Sequence, residues 1–194
     1  PARRTTRHTA GVLLLGLVIV GAALMVLERQ MPLGGLLADY ATATGEQRRL
    51  ALDDGSVVHL NTRTVLDVRF DARQRTLVLR EGEIHLQSGH ADPSERRPLV
   101  VMTSEGSLRA LGTRFLVRRE SGATRVTVIE SAVAVRGADC PPAPAACAVS
   151  GRIEAGQSTV LRRDGLGLAS AAAAGQADAW IDGLLSVEDR PPRR

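Results

Sequence analysis

The fold is decided by two segments of sequence, LDVRF at residues 66–70 and LVLREGEIHL at residues 77–86. Apolar and polar side chains alternate along both segments, which is typical of β-strands that bury one face. Similar short alternating runs, separated by turn residues, extend outward from these segments between Val58 and Val135. The sequence therefore predicts an all-β body.

An acidic residue followed by glycine or another small residue recurs along this body at intervals of 27, 24, 25 and 24 residues. Glycine allows the positive φ of a tight corner, so each pair is interpreted as a corner between strands. A regular period of this length predicts a stacked β-hairpin roll or a short, β-helix-like β-solenoid. A sandwich of regular hairpins would space its turns as evenly and is the alternative. The pairs are Asp54-Gly55, Glu81-Gly82, Glu105-Gly106, Glu130-Ser131 and Glu154-Ala155, the last followed by Gly156.

Residues 10–27 form an apolar run of 18 residues that contains no charge. A helix of this length would be roughly 27 Å long, about the thickness of the hydrocarbon core of a bilayer. Arg3, Arg4 and Arg7 precede the run, whereas only Arg29 follows it closely, which predicts a cytoplasmic N-terminus. A retained anchor is favoured over a cleaved signal peptide, because no small-x-small cleavage site follows closely, and over a buried core helix.

The positive charge of the chain is concentrated before this apolar run. The net charge is +4, but residues 28–194 hold 22 arginines against 21 acidic residues and are nearly neutral. Aromatic residues make up only 2% of the sequence. A nearly neutral body with few aromatic rings argues against nucleic acid as a partner.

These features divide the chain into five segments. We expect a cytoplasmic stub at 1–9, a transmembrane helix at 10–27, a juxtamembrane linker at 28–45, a β domain at 46–168 and a C-terminal helix or tail at 169–194. Within the β domain, Cys140 and Cys147 bracket a proline-rich loop. In an exported protein this pair is expected to form a structural disulfide, since no further metal ligands lie nearby.

Two sets of polar side chains resemble reactive sites without completing one. His59 and His85 lie on the outward phase of their strands and could meet, but no third ligand is spaced to join them. Solvated surface histidines are therefore favoured over a metal site. Glu81 and Glu83 resemble a catalytic carboxylate pair, for which a corner is the favoured interpretation. No catalytic or phosphate-binding motif occurs, so we expect no catalytic residue, cofactor or metal, and no enzyme.

Seven short motifs follow one another in order over residues 40–189. They are Tyr40 with Gly45-Glu46, residues 52–56 with Leu60-Asn61, residues 79–83, residues 97–101, residues 110–115, residues 155–157 and residues 180–184. In this order they resemble the periplasmic FecR domain of transmembrane sensors that regulate extracytoplasmic-function sigma factors. The resemblance implies structural roles for Asp54, Gly55, Gly82, Glu83, Arg97, Pro98, Gly112, Thr113, Phe115, Gly156, Trp180 and Gly183.

The resemblance also implies partners and a location. Such proteins cross the bacterial inner membrane once, with a cytoplasmic N-terminus and a periplasmic C-terminal domain. A TonB-dependent outer-membrane receptor, often one for an iron–siderophore complex, engages the periplasmic domain, and the signal reaches an extracytoplasmic-function sigma factor held by a cytoplasmic domain. Residues 1–9 are too few for that domain, so we expect sigma-factor binding to need sequence outside this chain. The alternative is a membrane-anchored envelope adhesion or polysaccharide-binding module.

Overall fold

The computed structural model describes residues 17–21, 38–89, 95–139, 150–172 and 179–182. Within these ranges the all-β prediction is confirmed, because fourteen strands form one continuous sheet that is followed by a 3-10 turn at Ala179–Asp182. The strands are β1 (Tyr40–Ala41), β2 (Arg48–Ala51), β3 (Val57–Leu60), β4 (Val65–Phe70), β5 (Arg75–Gln87), β6 (Leu99–Met102), β7 (Gly106–Ala110), β8 (Arg114–Glu120), β9 (Ala123–Glu130), β10 (Ala132–Gly137), β11 (Ser150–Glu154), β12 (Gln157–Arg162), β13 (Gly165–Leu166) and β14 (Ser170–Ala171).

The sheet has two halves that share the 13-residue strand β5. The first half has the order β1-β4-β5-β6-β7-β10-β11, and it uses the beginning of β5. The second half has the order β2-β3-β5-β8-β9-β12, with β13 and β14 both on β12, and it uses the end of β5. A tight turn joins β11 to β12, and there the amide of Gly156 donates to the carbonyl of Val128 at 2.9 Å. This turn brings the outer strands of the two halves together, so the sheet is nearly closed into a barrel.

The crossing of β5 between the halves is visible in its side-chain phase. Leu77 and Leu79 point into the core at odd positions, whereas Ile84 and Leu86 do so at even positions. The phase changes because the pairing of β4 with β5 shifts register at Val65, where the strand bends. Both halves therefore contribute to one buried apolar cluster, whose largest member is Phe115.

Gly82 is required at this bend. Its φ is +87°, a conformation that side chains with a Cβ rarely adopt. A Cβ on Gly82 would also lie 2.4 Å from Oγ1 and 2.5 Å from Cα of Thr64. The Glu81-Gly82 pair was expected to be a corner between strands, but it forms a bend inside a single strand.

The predicted β-solenoid is wrong. In a solenoid of this kind, equivalent strands of successive coils lie side by side. Among the described residues, however, 12 of the 13 strand pairings are antiparallel and only that of β5 with β6 is parallel. The acid-glycine pairs are not equivalent either. Asp54-Gly55 turns between β2 and β3, while Glu105 precedes β7 and Ser131 separates β9 from β10. The even spacing therefore does not mark one repeated structural unit.

Several predicted features fall on parts of the chain that the structure does not describe. Residues 17–21 of the predicted transmembrane segment are helical, and the rest of 10–27 lies outside the described residues. Within the described part, no helix is long and apolar enough to cross a membrane. Cys140, Cys147 and Gly183 also lie outside the described residues, so the disulfide stays a prediction.

Candidate functional site

Asp54 forms a buried ion pair that ties the β2–β3 turn to the start of β5. Its Oδ2 accepts a hydrogen bond from Nη1 of Arg75 at 2.5 Å, and the two side chains are only 2% and 6% exposed. Asp54 also accepts hydrogen bonds from the amide and the hydroxyl of Ser56, at 2.9 and 2.8 Å. A buried charge is tolerated only when it is paired and hydrogen-bonded, so this pair is part of the framework.

Arg97 and Pro98 complete that framework through their backbone. Nε and Nη2 of Arg75 donate to the carbonyl oxygen of Arg97 at 3.0 and 2.8 Å. The backbone amide of Arg75 donates to the carbonyl oxygen of Pro98 at 2.9 Å. The Arg97 side chain pairs with Glu95 at 2.6 Å, and its hydrogen bonds lower the pKa of Glu95 to about 2. The segment before β6 is thus fixed to β5.

The other predicted structural residues lie in the core and at corners. Phe115 is fully buried. The amide of Thr113 donates to the hydroxyl of Ser88 at 2.8 Å, and the amide of Ser88 donates to the carbonyl oxygen of Thr113 at 2.9 Å. Gly112 and Gly156 both have positive φ. These positions hold the barrel together and do not converge on one site.

Glu83 is different, because it lies in an open cleft on the outer face of the second half of the sheet. The cleft has a volume of about 700 Å³ and is formed by the β3–β4 turn, the bend of β5 and the β8–β9 turn. Oε2 of Glu83 accepts a hydrogen bond from Nδ2 of Asn61 at 2.8 Å. Burial raises the pKa of the Glu83 carboxyl, and the bond from Asn61 and the charge of Arg118 offset this only in part.

A second, smaller cavity adjoins this cleft beneath Trp180. Its volume is about 320 Å³, and it shares Asn61, Glu83 and Arg118 with the larger cleft. Ala179 is buried, so the 3-10 turn that carries Trp180 packs against the protein at this residue. The remaining lining residues are Leu116, Arg125 and Thr127 from β8 and β9. We call this second space the Trp180 cavity.

The two histidines meet as the strand phase predicted. His59 and His85 are paired in register, and their ring centroids lie 5.7 Å apart in an edge-to-face arrangement. The prediction that both are solvated is wrong for His85, which is only 4% exposed because it lies on the central strand with His59 and Leu116 beside it. Among the described residues, no group of three or more side chains is arranged to hold a metal ion.

Sequence reasoning did not single out Arg118 and Arg125. They face each other in register on β8 and β9, and both line the Trp180 cavity. Each lies on the polar phase of an alternating strand, but only the register between the strands brings the two together. Many arginines of this chain lie on such a phase, so the pattern alone could not distinguish them.

Comparison with known proteins assigns the barrel to a family. The family model described as FecR protein matches residues 38–134, half of the chain. The chain belongs to the FecR family. The match runs from just before β1 into β10, so in this FecR domain it includes the large cleft but not Trp180.

Two solved structures resemble this FecR domain. Both are crystal structures of a putative anti-sigma factor from Parabacteroides distasonis ATCC 8503, at 1.65 and 2.50 Å resolution. Each has a TM-score of 0.60 and 25% sequence identity, over 74% of this chain and 64% of that one. The chain therefore spans less than two thirds of the neighbour it matches. A search among curated proteins gave no match.

Proposed function

We propose that this chain is the membrane-anchored periplasmic module of a FecR-type regulator of an extracytoplasmic-function sigma factor. In this role it relays a signal from a TonB-dependent outer-membrane receptor, of the kind that serves iron–siderophore uptake, and it catalyses no reaction. Its localisation would be the bacterial inner membrane, with residues 10–27 as the single span and the barrel in the periplasm. The alternative adhesion or polysaccharide-binding role has no specific observation in its favour.

The observation that carries this proposal is the match of residues 38–134 to the FecR family. The matched residues include most strands of both halves of the barrel, among them the shared strand β5 and the Asp54–Arg75 pair. A similar chain fold occurs in a putative anti-sigma factor at 25% identity. The apolar run with arginines before it supports the anchor and its orientation.

The signalling role is tested by deleting the gene that encodes this chain and measuring transcripts with and without an added siderophore under iron limitation. We expect one set of sigma-factor-dependent transcripts to lose its response, and the wild-type gene to restore it. Asp54→Ala should fail to restore the response because the barrel is destabilised, whereas the exposed control Arg152→Gln should restore it. An unchanged response in the deletion strain would contradict the proposal.

The membrane orientation is tested separately with alkaline phosphatase, which is active only after export. A fusion placed after the last residue of the chain should be active, and the same fusion lacking residues 10–27 should be inactive. A reporter that is active only in the cytoplasm should give the reverse pattern at the same position. Activity of the phosphatase without residues 10–27 would contradict the anchor.

A further inference from the structure

The 3-10 turn at Ala179–Asp182, here called the Trp180 turn, covers a strip of the outer face of the barrel. The strip contains Leu116 and Thr127, which face each other in register on β8 and β9. The residues on either side of each one belong to the core, so both side chains point outward. They are nevertheless only 3% and 8% exposed. Both line the Trp180 cavity together with Trp180, so the turn lies over them.

The turn is not closely packed against this strip. The Trp180 cavity has a volume of about 320 Å³, whereas closely packed parts of a protein contain few spaces larger than a water molecule. Of the described residues that line the cavity with Trp180, only Leu116 is apolar. The turn therefore gains little hydrophobic stabilisation from the face that it covers.

The indole group of Trp180 opposes the closed position of the turn. Its Nε1 is buried and has no hydrogen-bond partner among the described residues. An indole nitrogen can only donate, and a buried donor without an acceptor has lost the hydrogen bond that it makes to water. Opening of the turn restores that bond, so this donor favours the open position.

Few side chains are available to hold the turn in place. Residues 172–182 contain only two large apolar side chains, those of Trp180 and Ile181, and the other nine residues are alanine, glycine, glutamine or aspartate. In the turn, Ala179 is buried, whereas Trp180 and Ile181 are half-buried. A segment with few buried apolar contacts opens at a lower free energy than the core to which it is attached.

We propose that the Trp180 turn is a detachable strap, which leaves the outer face of β8 and β9 and returns to it while the barrel stays folded. The closed strap buries Leu116 and Thr127, and the open strap exposes them and gives Nε1 of Trp180 to water. The barrel therefore has two states, and any molecule that binds one state better shifts the balance between them. The strap does not depend on the proposed signalling role, and Trp180 lies outside the residues that the family match covers.

The test measures hydrogen exchange of the full chain in detergent micelles by NMR. Trp180 is the only tryptophan, so its indole proton gives a single signal. We expect this proton to exchange at least about a hundredfold faster than the amide protons of β5, and with a weaker dependence on urea, because opening of the turn exposes little surface. Equal rates with the same urea dependence would overturn the proposal, since the turn would then open only with the whole barrel. A rate equal to that of free N-acetyltryptophanamide would also overturn it, since the turn would then have no closed state.

Two leucine substitutions separate the strap from the barrel. Leu116→Ala removes the apolar contact beneath the turn and should speed exchange of the indole proton about tenfold or more. Leu99→Ala is the matched control, because it removes the same atoms from β6 in the other half of the sheet, where Leu99 is 2% exposed. It should speed exchange of the β5 amides and leave the indole rate unchanged. An unchanged indole rate in Leu116→Ala, or an equal increase in both variants, would overturn the proposal.

Discussion

Arginines are paired differently in two regions of the barrel, the buried start of β5 and the exposed face of β8 and β9. Arg75 is 6% exposed, and its guanidinium donates to Asp54 and to the carbonyl of Arg97. Arg118 and Arg125 are 58% and 48% exposed, and both lie within ion-pair distance of Glu120, at 3.8 and 3.6 Å, which is longer than a hydrogen bond. The difference shows that hydration, not residue type, decides which charges must be matched within the fold.

The physical reason is the cost of removing a charge from water. A guanidinium inside the barrel loses its hydration and must recover it from protein acceptors, so Arg75 is fixed by several partners. A half-exposed guanidinium keeps much of its water and can remain without a close acid at little cost. The exposed arginines can therefore keep loose ion pairs, whereas the donors of Arg75 are all used within the fold.

Breaking the Asp54–Arg75 pair should give the largest effect. Asp54→Ala leaves the buried Arg75 guanidinium without its counter-charge, and we expect it to lower the free energy of unfolding by about 3–5 kcal/mol. Urea denaturation measures this loss. Glu154→Ala removes the acid of the exposed Arg152–Glu154 pair and should cost less than about 1 kcal/mol. Similar losses in the two variants would show that burial does not set the difference.

The next largest loss of stability is expected at Gly82, in the bend of β5. Gly82→Ala places a Cβ against the backbone of Thr64 at a φ of +87°, and we expect a loss of about 2–3 kcal/mol in the free energy of unfolding. Gly122→Ala is the control, because Gly122 has a φ of +70° but nothing within 4 Å of its added Cβ. Its cost should be about 1 kcal/mol, from backbone strain alone. Equal losses would mean that the contact with Thr64 relaxes at no cost.

The smallest effect concerns Glu83 in the cleft. Burial raises the pKa of this carboxyl, so its ionisation at neutral pH costs folding free energy. The cost is present above the folded-state pKa and disappears below the ordinary value of 4.5, where the group is protonated in both states. Glu83→Gln should therefore be more stable than the wild type at pH 7, and the gap should close below about pH 4.5.

Thermal unfolding followed by circular dichroism between pH 3.5 and 7 checks this prediction. Glutamine can still accept the hydrogen bond from Asn61, so the substitution changes the charge and little else. Glu81→Gln is the control, because that carboxylate is exposed and pairs with Arg63 at 3.4 Å. A Glu83→Gln variant that is less stable than wild type at pH 7 would contradict the direction given for Glu83.

The alternation of residues 66–70 and 77–86 was enough to predict strands, and the outward phase of His59 and His85 was enough to predict that they could meet. Glu81-Gly82 was predicted to be a corner between strands, because whether β5 continues past Gly82 depends on pairing partners that are distant in the chain. Asp54 was recognised as a corner, whereas its partner Arg75 is 21 residues away and is brought to it by the sheet. Local patterns specify elements, and register specifies contacts.

The same limit explains what was missed at the candidate site. Arg118 and Arg125 become neighbours only through the pairing of β8 with β9, and the sequence does not encode that register locally. The burial of His85 depends on the neighbouring strands that flank it, not on its own strand. The regular spacing of acid-glycine pairs misled because hairpin turns, a bend inside β5 and boundaries between unpaired strands fall at similar intervals along the chain.

Because β5 belongs to both halves of the barrel, neither half can come apart while the other keeps this strand in place. Unfolding by heat or denaturant should thus be a single all-or-none transition for residues 40–166. Amide protons of β5 that are bonded to β3, β4 or β8 are expected to exchange with solvent only when the whole domain opens, and those of the short terminal pairing of β1 with β4 to exchange sooner. Hydrogen exchange would then show one slow core centred on β5 and no separately melting half.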